Sequence, residues 1–471
     1  MTYRALRERV DALSDKLRGM GVGPSDRIAI VLPNGPEMAI AFLAATTAGC
    51  AAPLNPKYRE SEFRFYMEDL KAKVLLTGES GHPEAEAAAG VDVTKVAVEG
   101  TLGTLAFRFT QRNRTEPPLP PPTGEDVALV LHTSGTTSRP KIVPLRQRNL
   151  VASAQNVAAS MALDSSDRSL NVMPLFHIHG LVAGLLAPLA AGGSVICAPG
   201  FEPFKFLNWI DQLHPSFYSA VPTIHQMVLA RAGKPLSTTL RVVRSSSAAL
   251  PGVVLDGLRQ VFGVPVIEAY GMTEASHQMA SNPLPPGQAK PGSVGRATGI
   301  EVAILGQDWS MKAPGERGEV SIRGRTVVDA YENNEDANKA SFNDEGWFRT
   351  GDEGYLDPDG YLFLTGRLKE QINRGGEKVV PLEIDDVLMS HPDVAQAVAF
   401  ALPDPLLGED VAAAVVLREG AEISVSDLRS FASTRLAPFK VPKRVFIVDE
   451  IPKGPTGKIQ RIGLAKALGV E

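Results

Sequence analysis

The chain opens on an amphipathic stretch in which Leu6, Val10, Leu13, Leu17 and Met20 recur at alternating four- and three-residue spacing, the period of a helix with one apolar face. Short apolar runs then alternate with helical patterns as far as residue 290: Arg27–Leu32, Lys73–Thr77, Val127–Leu131, Ser194–Ala198, Arg241–Arg244 and Val264–Glu268. That alternation predicts α/β units on buried parallel strands. The run Met38–Ala52 is 15 residues long and contains Thr46, Thr47 and Gly49. It falls short of the roughly 20 residues that span a bilayer and reads as a core helix. Pro-rich Glu116–Gly124 predicts a semi-rigid extended spacer between two such blocks.

From about Ser293 to Gly366 the pattern changes to short alternating strands punctuated by glycine, at Val302–Leu305, Gly318–Gly324 and Gly360–Leu364. These predict an antiparallel sheet or a small β-barrel. The last hundred or so residues return to mixed α and β, with strands at Ala395–Ala401, Val411–Leu417 and Arg444–Val448. The expected fold class is therefore α/β. A large N-terminal domain (residues 1–366) would hold parallel-sheet subdomains plus a small β-barrel, residues 367–369 a hinge, and residues 370–471 a mobile α+β domain.

A length of 471 residues agrees with more than one core. The net charge of −5 gives no reason to expect a nucleic-acid or anionic-membrane partner. Cys50 and Cys197 sit far apart in apolar surroundings, as expected of buried thiols in a reducing compartment. The first residues lack the apolar core of a signal peptide, and Leu468–Glu471 is not a peroxisomal address of the S-K-L type. A cytoplasmic protein, monomer or homodimer, is expected.

Candidate chemistry concentrates in a few loops. After the apolar run Val127–Leu131 comes His132-Thr-Ser-Gly-Thr-Thr-Ser-Arg-Pro-Lys141, where hydroxyls and backbone N–H groups can converge on an anion and Lys141 adds a point charge. The common G-x-x-x-x-G-K-[ST] loop is not matched, since no second glycine precedes Lys141 and no hydroxyl follows it. Glu268-Ala-Tyr-Gly-Met-Thr-Glu274 follows another strand, the place where open α/β sheets bind ligands. An aromatic, a glycine, a hydroxyl and a carboxylate there can stack on a base, admit close backbone approach, bond a phosphate and hold Mg²⁺. Thr350-Gly-Asp352 and Gly366-Arg367 flank a predicted hairpin, Tyr355 to Leu364. A carboxylate and a guanidinium so placed can bind ribose hydroxyls and phosphate oxygens.

In this order these motifs resemble those of the adenylate-forming superfamily, which comprises acyl-CoA synthetases, adenylation domains of peptide synthetases and luciferases. The resemblance covers nearly the whole chain. It implies ATP and Mg²⁺, with CoA as co-substrate, and places Thr133, Ser134, Gly135, Thr136, Thr137 and Lys141 about the phosphates. Tyr270 would face adenine, with Glu268, Ala269 and Gly271 beside it. Thr273 would meet the α-phosphate, Glu274 and Thr136 the metal, and Asp352 and Arg367 the ribose. Ser247 and Ala248, in Arg244-Ser-Ser-Ser-Ala-Ala-Leu250, would lie along the adenine and the acyl pocket, although a serine run also suits a helix-capping turn before Val253–Phe262. Lys369 would be the hinge, Asn373, Gly375, Gly376 and Glu377 the CoA loop, and Lys458, in Pro-Thr-Gly-Lys-Ile, the catalytic lysine. Two positions depart from the family, which mostly has glycine where Ile142 and Ser246 stand. The N-terminus also reads as some tens of residues shorter than usual, with an early helix missing.

The segments around His177, His179, His225 and His277 look like one branch in particular, the oxalate–CoA ligases of plants and fungi. His177, His179 and His277 would approach the acyl group, and His225 reads as a hydrogen-bonded core residue. Buried unpaired imidazoles cost about 1–3 kcal/mol each, so a fatty-acid tunnel is not expected to carry them. A small dianion needs donors. Malonate or a medium-chain acid is the alternative substrate. Loading of a carrier protein, and nucleotide binding without catalysis, are the alternative functions.

Overall fold

The structure, a computed structural model, describes residues 1–102, 104–109, 119–133, 140–453 and 459–470. Ser134, Gly135, Thr136, Thr137 and Lys458 therefore lie outside the described residues, as does part of the Pro-rich spacer.

Two seven-stranded sheets carry the large N-terminal domain. The first runs Ala106–Phe109, Thr94–Glu99, Val74–Gly78, Arg27–Val31, Cys50–Pro53, Val127–Thr133, Lys141–Arg146 in space. Its interior pairs are parallel, and each edge is closed by an antiparallel strand. The second runs Arg296–Ala297, His277–Ser281, Val266–Met272, Val242–Ser246, Phe217–Ala220, Arg168–Asn171, Ser194–Cys197, parallel from Val266–Met272 onward. One apolar core joins them and includes Ile28, Phe42, Leu129, Leu181, Phe217 and Ile267.

The helix Pro36–Ala48 contacts both sheets, which is why it is apolar all round. The expected helix Met38–Ala52 is thus two elements, because the strand Cys50–Pro53 follows at once. Gly49 makes the break: a Cβ there would stand 2.8 Å from the carbonyl oxygens of Asp26 and Gly23. The opening helix forms over Tyr3–Gly19, capped by the Thr2 hydroxyl and burying Leu13 and Leu17. Helix Gly252–Phe262 has Pro251 at its N-cap with no side-chain bond, so the serine run does not cap it.

Residues 301–367 form a four-stranded antiparallel sheet, Glu301–Leu305, Gly318–Arg323, Phe348–Leu356 and Leu362–Arg367 in sequence order. Its path is linear, an open version of the small barrel expected there.

The C-terminal domain has a five-stranded mixed sheet in which Gly408–Leu417 pairs with Val394–Asp404, Ile372–Arg374 and Arg444–Ile447. Ala397 and Ala399 face one core with Ile384, Leu388 and Leu428, while Val398 and Phe400 face another with Ile451 and Leu464. A strand buried on both faces reads as the unbroken apolar run found in the sequence.

Among the described residues no helix is long and apolar enough to cross a membrane. Cys50 is buried and Cys197 partly so, and burial pushes both thiols up to about 12.

Candidate active site

The site is built at the C-terminal ends of two adjacent parallel strands. Val242–Ser246 and Val266–Met272 pair with Ser245 opposite Glu268 and Ser246 opposite Ala269. Their exits bring Ser247 and Ala248 alongside Tyr270 to Glu274. Ser246, where a glycine was expected, donates its hydroxyl to the Ala269 carbonyl at 2.9 Å and is wholly buried. Ser247 holds φ +75°, strained for a residue with a Cβ.

Tyr270 donates its phenol to the Asp352 carboxylate, which also meets Arg367 Nε at 3.1 Å. Asp352 and Arg367 stand directly opposite in the antiparallel ladder, so the hairpin sets their spacing. Burial raises the Asp352 carboxyl against the opposing pull of Arg367 and Tyr270. The Asp352 charge holds Arg367 above its ordinary value. The three side chains expected around a nucleoside are thus brought together from two sheets.

A second cluster surrounds Glu274, in the short helical turn Thr273–Ala275. Its Oε1 accepts from the Tyr331 hydroxyl at 2.9 Å, and the Lys141 ammonium lies 4.2 Å from the centre of the Tyr331 ring. Burial raises the Glu274 carboxyl. Lys141 is lowered, first by burial and also by Lys369, with Glu274 pulling the other way. The nominated hinge lysine therefore stands close enough to act on the nominated phosphate lysine. Nothing in the sequence marked Tyr331, an aromatic after the apolar pair Val327-Val328 with no motif around it.

Thr133 and Lys141 pair at the closed end of an antiparallel hairpin, and the hydroxyl loop between them lies mostly outside the described residues. Ile142 sits in strand geometry opposite His132, 4 % exposed, in an apolar cluster with Val130. No left-handed conformation is asked of it, so its β-branched side chain is accommodated.

The histidines separate by role. His179 and His277 stack with ring centres 4.9 Å apart. His179 Nε2 lies 2.7 Å from Ser219 Oγ and its Nδ1 3.1 Å from Ser247 Oγ. His277, at φ +106°, has Nε2 3.2 Å from an Arg244 nitrogen. His177 is half-buried in the preceding turn, its Nδ1 accepting from the His179 backbone N–H at 3.4 Å. His225 is a core residue, bonded to the Tyr218 hydroxyl at 3.2 Å and pushed down to about 3 by burial. Arg244 lies within the expected strand Arg241–Arg244, where the strand period gives it no role, although a cation inside Val-Val-Arg-Ser-Ser is a legible oddity.

In the C-terminal domain, Asn373 pairs with Lys378 across a two-residue turn of Gly375 and Gly376 at φ +57° and +94°. That turn demands positive φ at both positions, a structural reason for the glycines. Glu377 opens the return strand, and the Asn373 N–H is tied to Glu409 at 2.7 Å. Glu268 is half-buried and its carboxyl pushed up to about 7, by burial first and also by Asp386 of the C-terminal domain.

Among the described residues no group of three or more His, Cys, Asp or Glu side chains could hold a metal ion. Glu274 offers a single buried carboxylate, raised by burial against the opposing pull of Tyr331, Lys141 and Arg367. That suits Mg²⁺, which commonly takes one or two protein carboxylates together with substrate phosphate oxygens.

This constellation has relatives. The family described as AMP-binding enzyme matches residues 1–332, and the AMP-binding enzyme C-terminal domain matches residues 383–458. The oxalate–CoA ligase of Arabidopsis thaliana is 46 % identical, with 98 % of this chain and 92 % of that protein covered. That of Saccharomyces cerevisiae is 43 % identical, with 94 % and 86 % covered. The fold matches an ATP-bound structure of MatB from Rhodopseudomonas palustris with TM-score 0.88 at 28 % identity, over 98 % of this chain and 92 % of that one. With these matches over both parts of the chain, it belongs to the AMP-binding, adenylate-forming enzyme family.

Proposed function

We propose that the protein is an ATP-dependent acid–CoA ligase whose acid is oxalate, working in the cytoplasm. The observation that carries the choice of acid is the group of Arg244, His179, His277, Ser219 and Ser247 at the end of the strand Val242–Ser246, beside Tyr270. These side chains bond one another into a buried polar cluster around the Arg244 cation, an environment that suits a small anionic acid and not an alkyl chain. The oxalate–CoA ligases among the relatives support the same choice.

In the first step an acid oxygen attacks the α-phosphorus, the bond to the bridging oxygen breaks, and pyrophosphate leaves with the electron pair. Tyr270, Asp352 and Arg367 hold the adenosine half, while Thr273, Lys141 and the hydroxyl loop hold phosphate oxygens and bring the reactants into line. Lys458 neutralises the attacking carboxylate and the α-phosphate, whose mutual repulsion opposes approach. Glu274 with Thr136 would hold Mg²⁺, which when bound supplies positive charge to the phosphate oxygens. In the second step the CoA thiol, losing its proton, attacks the acyl carbon and AMP leaves. We assign Lys369, between residues 1–366 and the C-terminal domain, as the hinge that exchanges Lys458 for the Asn373–Glu377 loop.

The test follows both half-reactions with oxalate. Pyrophosphate release and loss of free CoA thiol in equal amounts are expected. Pyrophosphate release with no thiol loss would instead point to loading of a carrier protein, and neither would sink the assignment.

A further inference from the structure

Arg244 is 0 % exposed, yet among the described residues it forms no ion pair with a carboxylate, and its Nε has no partner. Its acceptors are all neutral: Ser219 Oγ at 2.9 Å, His277 Nε2 at 3.2 Å and Gln278 Oε1 at 2.8 Å. Gln278 is itself pinned, its amide nitrogen donating to Ser160 at 2.9 Å and Thr298 at 3.1 Å. Burial brings the guanidinium down to about 9, which leaves it charged at neutral pH. An unpaired buried cation is costly, so its retention calls for a reason beyond packing.

The reason lies in direction. A guanidinium only donates. Ser219 Oγ therefore accepts from Arg244, and the ring nitrogen beside its single proton is His179 Nε2, at 2.7 Å, which we take as the acceptor. With Nε2 accepting, neutral His179 carries its proton on Nδ1, which faces Ser247 Oγ at 3.1 Å and donates to it. Ser247 then accepts from within and must turn its own proton away from His179. In the second branch His277 Nε2 accepts from Arg244, which leaves the His277 proton on Nδ1. A doubly protonated ring is opposed by the guanidinium and by the stacked neighbouring imidazole.

We propose that Arg244 is a positioning residue for acyl recognition: as a buried, donor-only cation it sets both His179 and His277 as Nδ1–H tautomers and directs the Ser247 hydroxyl proton outward, so that the site offers donors to an anionic acyl group. The positive φ at Ser247, Ser276 and His277 gathers backbone strain at this one place, as at functional sites elsewhere. The link to an acid substrate rests on the function proposed above, but the tautomers do not.

Nuclear magnetic resonance of the ligand-free full chain, with histidine labelled at its ring nitrogens, reports which nitrogen carries each proton. His179→Asn and His277→Asn supply the assignments. Both rings are expected to be Nδ1–H, and an Nε2–H or doubly protonated ring at either position would overturn the proposal. Arg244→Lys keeps a donor-only cation and should keep both tautomers. Arg244→Gln can accept as well as donate, so it should mix tautomers and raise KM for oxalate at least about 10-fold while KM for ATP changes little. Unchanged tautomers in a folded Arg244→Gln protein would also overturn it. Should that variant not fold, the spectra of the native chain and Arg244→Lys decide. Two Nδ1–H rings in an enzyme indifferent to oxalate would uphold the relay and remove the substrate assignment.

Discussion

Asp352 shows how one side chain can join two sheets. It is 6 % exposed, accepts from Tyr270 of one sheet and pairs with Arg367 on its own. Removing it would delete the acceptor proposed for the ribose hydroxyls and take the Asp352 charge away from Arg367. Asp352→Ala should raise KM for ATP about 10- to 150-fold, the equivalent of one charge-assisted hydrogen bond, and change KM for the acid little. Steady-state kinetics with each substrate varied in turn would check this, and an unchanged KM for ATP would take Asp352 out of the site. Residues such as this were legible because their chemistry travels with neighbours, as in Thr350-Gly-Asp352 and Gly366-Arg367. Arg244 and Tyr331 were not. Each is a single residue whose meaning comes from what the fold brings beside it, and neither the strand period nor a motif records that.

At the scale of elements, the parallel strands of the second sheet divide their work between their two ends. The end away from the site is fastened by Asp167, which accepts from Nε and Nη2 of Arg241 at 2.7 and 2.8 Å, from the Ser216 hydroxyl at 2.6 Å and from the Asp164 N–H at 2.9 Å. Burial pushes this carboxyl up, but Arg241, Ser216 and the Asp164 N–H outweigh it and hold it below the ordinary value. A depressed carboxyl contributes stability above its unfolded value, near pH 4, and that contribution fades as pH falls through the folded value. Asp167→Asn should therefore lower stability at pH 7 by about 1.5–3 kcal/mol, and the deficit should shrink below about pH 4. Denaturant melts across that range would show it, and a deficit independent of pH would contradict it. Strand existence was readable from apolar runs, but their ends were not. Val264–Glu268 extends to Met272 because the pairing with His277–Ser281 carries it on, and that partner lies later in the chain. The helix–strand junction at Gly49 was hidden because both elements are buried, which removes the polar face that distinguishes them.

Across the whole molecule, the residues proposed for the nucleoside belong to the N-terminal domain and the glycine turn Gly375-Gly376 to the C-terminal one, which predicts separable half-reactions. Lys458→Ala should slow adenylate formation by at least about 100-fold, as for loss of one stabilising group at a developing charge. Thioester formation from supplied acyl-adenylate should be largely spared. Comparable loss of both would argue against a rotation about Lys369. The change of pattern near Ser293 and again beyond Gly366 matches the passage from the two large sheets to the antiparallel sheet of residues 301–367 and then to the sheet of the C-terminal domain. The identity of the acid is the least local property of all, because the residues proposed to recognise it come from strands far apart in sequence. The most direct test of the account is kcat/KM of the native enzyme for oxalate against malonate, propionate and octanoate, with CoA consumption as readout. The acyl site proposed around Arg244 predicts that oxalate leads the monocarboxylic acids by at least about 100-fold, because each lacks the distal carboxylate that this cationic cluster favours. Equal or better turnover of octanoate would contradict it.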